Sequence, residues 1–226
     1  NATFSAAVGA TTITLTDTAG TIDFQGAVTA TTLNTAAQDY NVTMTGGGTI
    51  SSATTFSNSG NVTFNDGADT LTFTGGLTAT APGQVIIDGG IVQTTNTNMS
   101  LGDANANAVS VTDSSTLKAG SGTIDLTDTL ITSGKTFTVG DGTATTINMD
   151  KVDGAGNLTV NTTGAVTVDD TVGATADVTT MILTQASNAT FSAAVGATTI
   201  TLTDTAGTID FQGAVTATTL NTAAQD

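Results

Sequence analysis

Apolar and polar residues alternate along this chain in short bursts, and each burst is closed by Gly, Asn or Asp. The clearest are triplets: Ile22-Asp23-Phe24, Val42-Thr43-Met44, Val62-Thr63-Phe64, Val85-Ile86-Ile87, Val109-Ser110-Val111, Ile124-Asp125-Leu126, Ile147-Asn148-Met149, Val166-Thr167-Val168, Ala189-Thr190-Phe191 and Ile209-Asp210-Phe211. A period of two is that of a β-strand, so each triplet sends two side chains inward and one outward. Thr12-Ile13-Thr14-Leu15-Thr16, Thr70-Leu71-Thr72-Phe73-Thr74 and Asn157-Leu158-Thr159-Val160-Asn161 follow the same logic over five residues. The triplets start 20, 20, 23, 24, 15, 23, 19, 23 and 20 residues apart, nine steps that total 187.

The same number returns as an exact repeat. Residues 1–39 and 188–226 are identical at every position, an offset of 187. A β-fold tolerates many sequences, so identity over 39 residues reflects a recent duplication of the coding segment. The sequence therefore reads as one complete repeat (1–187) followed by the start of the next (188–226), continuous with the first. The two ends are expected to be cuts through a tandem array.

A period near 20 with strands and Gly/Asn/Asp turns is the signature of a β-solenoid. The predicted fold is all-β, a parallel β-helix of about nine coils per 187 residues. Right-handed coils are expected by analogy with other parallel crossovers. Gly46-Gly47-Gly48, Gly75-Gly76, Gly89-Gly90 and Asp141-Gly142 would supply corners with positive φ. The single proline, Pro82, fits coils whose backbones must donate to ladders. The competing arrangement is an array of β-sandwich domains. Eight Phe, one Tyr and no Trp leave a core drawn mainly from Val, Ile, Leu and Ala, which favours the narrow solenoid.

Composition removes much chemistry. The 226 residues carry 19 Asp, three Lys (Lys118, Lys135, Lys151) and no Glu, Arg, His, Cys or Trp, for a formal charge of −16. So few cations cannot neutralise a row of phosphates or anionic lipids, so no nucleic acid is expected as a partner. Without Cys and His there is no usual zinc, haem, iron–sulfur or disulfide chemistry, and no Cys–His or Ser–His–Asp nucleophile. No apolar run approaches the ~20 residues that span a bilayer as a helix, and membrane insertion is not expected. Residues 1–10 lack a positively charged signal-peptide n-region. An apolar fraction of 38% and scarce Pro, Lys and Gln speak against disorder.

The remaining candidates are oxygen ligands and hydroxyls. Paired carboxylates for acid–base work occur at Asp169-Asp170 and at Asp66 with Asp69, but no motif brings a cation to them to stabilise charge. They read as solvated turn residues, and the chain is not expected to be an enzyme or to require a cofactor. Asn65-Asp66-Gly67-Ala68-Asp69, Gly140-Asp141-Gly142 and Asp150-Lys151-Val152-Asp153-Gly154 have the flavour of calcium loops but match neither the EF-hand nor the glycine-rich nonapeptide. Diffuse Ca2+ binding is the stronger expectation. One repeat holds 16 Asp and three Lys. Stacked at the strand spacing, that is one net charge per ~3.3 Å, within a factor of two of duplex DNA. Divalent cations should condense on such a rod and bridge neighbours. Thr is 56 of 226 residues, and Thr12/Thr14/Thr16, Thr43/Thr45, Thr70/Thr72/Thr74 and Thr136/Thr138 form the T-x-T pattern of an ice-binding face. Coil lengths from 15 to 24 would spoil a flat lattice. Asn1, Asn41, Asn61, Asn98, Asn157, Asn161 and Asn188 begin N-x-S/T sequons, several of which chance supplies in so Thr-rich a chain.

Gly156-Asn157-Leu158-Thr159-Val160-Asn161-Thr162-Thr163-Gly164-Ala165-Val166-Thr167-Val168 and Asn58-Ser59-Gly60-Asn61-Val62-Thr63-Phe64 resemble repeats of filamentous-haemagglutinin-type adhesins and autotransporter passengers. That resemblance implies a right-handed β-helix exported by a bacterium to act as a surface adhesin or fibre. Near-perfect 187-residue copies depart from the irregular repeats of that group and point to a long uniform filament. The function expected is a structural segment of a secreted tandem-repeat solenoid in an extracellular or cell-surface fibre, sheath or matrix. The alternative is the stalk of an adhesin whose binding module lies elsewhere, and a minor one is an ice- or calcium-binding solenoid. Its expected partners are copies of itself, end-to-end and side-by-side.

Overall fold

A computed structural model of the chain describes residues 1–16, 19–103, 108–203 and 206–223. The two 39-residue copies thus reach outside the described residues at Asp17, Thr18, Asp204, Thr205 and 224–226. Among the described residues there is no helix, and every strand pairing is parallel. The chain is a β-solenoid of about ten turns.

Each turn lays one strand segment on each of three faces. On the first face Ala2, Ile22, Val42, Val62, Val85, Val109, Thr129, Val152, Val172, Val195 and Val215 stand one above the next. On the second, Val28 lies over Val8, and the column continues through Gly48, Leu71, Val92, Leu117, Val139, Val160, Leu183 and Leu202. On the third, Thr54, Leu77, Met99, Ile124, Ile147, Val166, Ala189 and Ile209 form the column. Strands Val62–Phe73, Val85–Thr94 and Val109–Lys118 bend from first to second face without interruption.

The predicted alternation sets burial. In Val62-Thr63-Phe64 and Leu71-Thr72-Phe73 the apolar residues are fully buried and the Thr half-buried. One core runs the length of the stack. It is less uniformly small than the composition suggests. Phe56, Phe64 and Phe73, from three different faces, meet edge-to-face at 5.5, 5.8 and 6.1 Å between centroids. Phe4 and Phe24 stack at 4.9 Å, the strand spacing, as do Phe191 and Phe211. Rings that lie flat between coils fit a core of that repeat distance.

One step of the triplet rhythm is corrected. Ile124 does not lie over Val109. Val109 pairs with Thr129, and Ile124 pairs with Met99. The 15-residue step crosses from one face to another within a coil. The first-face strand that stands over Val109 is Thr129–Ile131, which puts Thr129 inward in a column otherwise rich in Val; the buried hydroxyl donates to Thr127 O at 3.0 Å.

The predicted glycine corners hold at Gly47, Gly48, Gly76, Gly89, Gly90 and Gly142, all at positive φ. Gly46 and Gly75 are needed for a different reason. A Cβ on Gly46 would stand 2.4 Å from Gly26 C on the coil below, and one on Gly75 2.3 Å from Ala53 N. Pro82 lies in a turn outside the strands.

Candidate functional site

Short turns pass from third to first face between Leu126 and Thr129, Met149 and Val152, and Val168 and Val172, and there the stack collects carboxylates from successive coils. Asp128, Asp150, Asp169 and Asp170 follow the third-face strands Thr123–Leu126, Thr146–Met149 and Ala165–Val168. Backbone bonds lock them in line: Asp150 N–H donates to Leu126 O at 3.0 Å, Asp169 N–H to Met149 O at 2.9 Å and Asp170 N–H to Asp150 O at 3.2 Å. Partial burial, and then the like charges of Asp128, Asp169 and Asp170, hold the Asp150 carboxyl above the ordinary carboxylate range. Lys151 answers this charge. Its Nζ lies 2.9 Å from Asp128 Oδ2, which raises the lysine above its usual value.

Asp153, in the same predicted calcium loop, is separate from that cluster. It is buried, and its carboxylate accepts from the N–H groups of Gly154 at 2.8 Å, Thr175 at 3.1 Å and Ala176 at 3.0 Å. Burial alone raises its pKa, but the donors together outweigh it and hold the group below the ordinary range. Its role is to pin the 173–177 loop of the next coil.

The other candidates are dispersed. Asp66 and Asp69 are exposed in the bend between first and second faces. Their neighbour Asn65 is buried at φ 60° and turns inward, with Nδ2 donating to Ile91 O at 2.9 Å. Asp141 accepts from Thr143 N–H at 3.2 Å and Thr143 Oγ1 at 2.5 Å, a turn-closing arrangement. Among the described residues no three acidic side chains are grouped to hold a metal ion. Asp113, on the bend of Val109–Lys118, is held below its ordinary value by a hydrogen bond from Lys135 at 2.8 Å.

The Thr pattern does not build a flat array. Upward along the first face the outward residues run Thr3, Asp23, Thr43, Thr63, Ile86, Ser110 and Leu130. The strand Val85–Thr94 adds register shifts against both neighbours. Four sequon asparagines have a structural use. Asn1, Asn41, Asn98 and Asn188 accept, through Oδ1, the N–H of Thr21, Asn61, Thr123 and Thr208 on the following coil at 2.8, 2.8, 3.0 and 3.1 Å. They extend the backbone ladder one residue beyond the strand.

A groove of about 460 Å³ runs beside Thr54, Gly76 and Leu77, with Asn96 and Asn98 on its wall. The Oδ1 atoms of those two asparagines already accept backbone N–H groups of Ser121 and Thr123. The groove is a gap between turns of unequal length.

Sequence reasoning missed the cluster around Asp150 because it depends on which turns coincide. Asp128, Asp150 and Asp169 are 22 and 19 residues apart, and only the summed coil lengths align them. No family model, no curated protein and no solved structure matches this chain. The fold places it in the class of parallel β-solenoids.

Proposed function

We propose that the chain is a structural segment of a long secreted tandem-repeat β-solenoid that forms an extracellular fibre, sheath or matrix filament. One observation carries this reading: the second copy of the 39-residue sequence joins the stack without a seam. Asn188–Phe191 pairs with Ala165–Val168 below and Ile209–Phe211 above, in the same parallel manner as the middle coils. A repeat whose next copy continues the same ladders can be stacked further in the same way, because each coil is stabilised by its neighbours. The function is then mechanical. Continuous ladders and a stacked core make a stiff rod, and the acidic surface keeps it soluble and draws a diffuse layer of Ca2+ or other divalent cations that can bridge rods. No enzymatic step, cofactor, nucleic acid or membrane insertion belongs to this reading, and its partners are copies of itself. The stalk of a bacterial surface adhesin would use the same rod, and the phrase around Leu158 and Val166 supports it.

The test is an antibody against the folded chain applied to intact source cells under the electron microscope. Label along thin filaments outside the cell is expected. Label confined to the cell interior would overturn the proposal.

A further inference from the structure

The two identical copies do not lie on the same faces. The column that starts at Ala2 climbs through nine pairings to Val195. Val195 is the copy of Val8, not of Ala2. The copy of Ala2 is Ala189, on the third face over Val166. The copy of Ile13 is Ile200, which stands over Met181 on the second face. Ile13 itself lies beneath Leu33 on the third. That assignment follows from the next coil, where Ser57 N–H donates to Thr35 Oγ1 at 2.7 Å and sets 54–57 above Thr35.

Within each copy nothing has changed. Ala2 meets Ile22 as Ala189 meets Ile209, and Val8 meets Val28 as Val195 meets Val215. The Phe4–Phe24 and Phe191–Phe211 stacks share a 4.9 Å separation and interplanar angles of 12° and 14°. The turn at residues 5–7 joins first to second face, while its copy at 192–194 joins third to first. The same residues form the same coil on a different side of the rod.

From this phase we infer that the 187-residue repeat advances the solenoid by eight and two-thirds coils, so that successive repeats present each surface one face further round the rod. The inference rests on the tandem-array reading above for its biological consequence, but its geometry belongs to this chain. Three repeats, 561 residues, bring a surface back to its starting face after ~125 Å of rise at the strand spacing. The acidic corner around Asp150 would then face three directions in turn. Each surface of the repeat is thereby distributed over three sides of the rod. Filaments of this repeat would pack into three-dimensional bundles, whereas a nine-coil repeat would keep every acidic corner on one side and favour flat ribbons.

The phase is decided where Val109 skips Ile124, and that register can be read directly. The chain has no cysteine, so engineered pairs report alone. Neighbouring strands at ~4.8 Å lie within disulfide reach. Ser100 pairs with Asp125, and Thr167 with Thr190. Mild oxidation of S100C/D125C and T167C/T190C is expected to cross-link both, and S110C/D125C to stay reduced. Cross-linking of S110C/D125C, the pair a nine-coil repeat brings together, would overturn the inference and leave the solenoid intact. Cross-linking of T167C/T190C alone would also overturn it. Failure of T167C/T190C as well would instead remove the stacked fold on which the proposed function depends.

Discussion

Phe4 and Phe191 are the same residue of the same 39-residue sequence, yet one is 41% exposed and the other 1%. Leu33 and Leu220 differ in the opposite sense, 2% against 56%. The first copy has a coil above it and none below; the second has coils below it and none above. Sequence, strand assignment and local pairing are shared, so the difference isolates what a neighbouring coil contributes. In this fold burial is not a property of a residue but of the coil beneath or above it. Stability should therefore follow coverage and not identity.

Alanine at the two phenylalanines gives the largest contrast. Phe191→Ala removes a ring packed between coils and is expected to cost about 3–4 kcal/mol, whereas Phe4→Ala should cost well under that because most of its burial is absent. Hydrogen exchange of the strand amides in Asn188–Phe191 and Ala2–Phe4 would read both; equal costs would break the comparison. Leu33→Ala against Leu220→Ala is the mirror case, with about 2–3 kcal/mol expected for the first and little for the second. The sharper version adds a coil. Appending a copy of residues 40–61 after Asp226 should cover Leu220 and raise the cost of its truncation to that of Leu33.

Coverage also works through hydrogen bonds. Asp153 is satisfied by N–H groups of Thr175 and Ala176 on the coil above. Asp153→Ala takes the charged acceptor from those donors and from the buried N–H of Gly154, and about 1–3 kcal/mol should be lost at neutral pH in a denaturant titration. Because the folded carboxyl is held below its ordinary range, its contribution is present above that range and is lost as pH falls through the lowered value. The variant should accordingly lose less stability than the parent on acidification. A steeper acid loss in the variant would contradict the assignment.

Asp150 reverses the sign. Here the neighbouring coils bring Asp128, Asp169 and Asp170, and the folded pKa is raised. Its contribution is favourable below the ordinary carboxylate range and disappears as pH rises through the raised value. Asp150→Asn should therefore stabilise the chain at pH 7, by a few tenths of a kcal/mol at most for so solvated a group. The gain should shrink in high salt and vanish in acid. Destabilisation at low salt would show that the carboxylate has a partner this account omits.

Much of this architecture is readable from local pattern. Alternation in Val62-Thr63-Phe64 or Leu158-Thr159-Val160 specifies which side chains enter the core, and glycines such as Gly48 mark turns because the backbone there sits at φ 123°. What local pattern does not carry is register. Ile124 follows Val109 with the same triplet rhythm, but the strand that stands over Val109 is the later Thr129–Ile131, led by a buried Thr whose hydroxyl is satisfied locally, and Val172 joins the first face by single bridges. Both resemble turn sequence. Vertical neighbours depend on the sum of coil lengths, so the grouping of Asp128, Asp150 and Asp169, and the meeting of Phe56 with Phe64 and Phe73, could not be placed from one coil at a time.

The central claim is that parallel coils of unequal length stack one on another along a single axis. X-ray diffraction from oriented specimens of the chain tests it most directly. A reflection near 4.8 Å on the meridian, parallel to the long axis of the particles, is the expected result. The same spacing on the equator, or an axial repeat of a few tens of ångströms with no meridional strand reflection, would mean separate sheet domains on a string and would contradict the account.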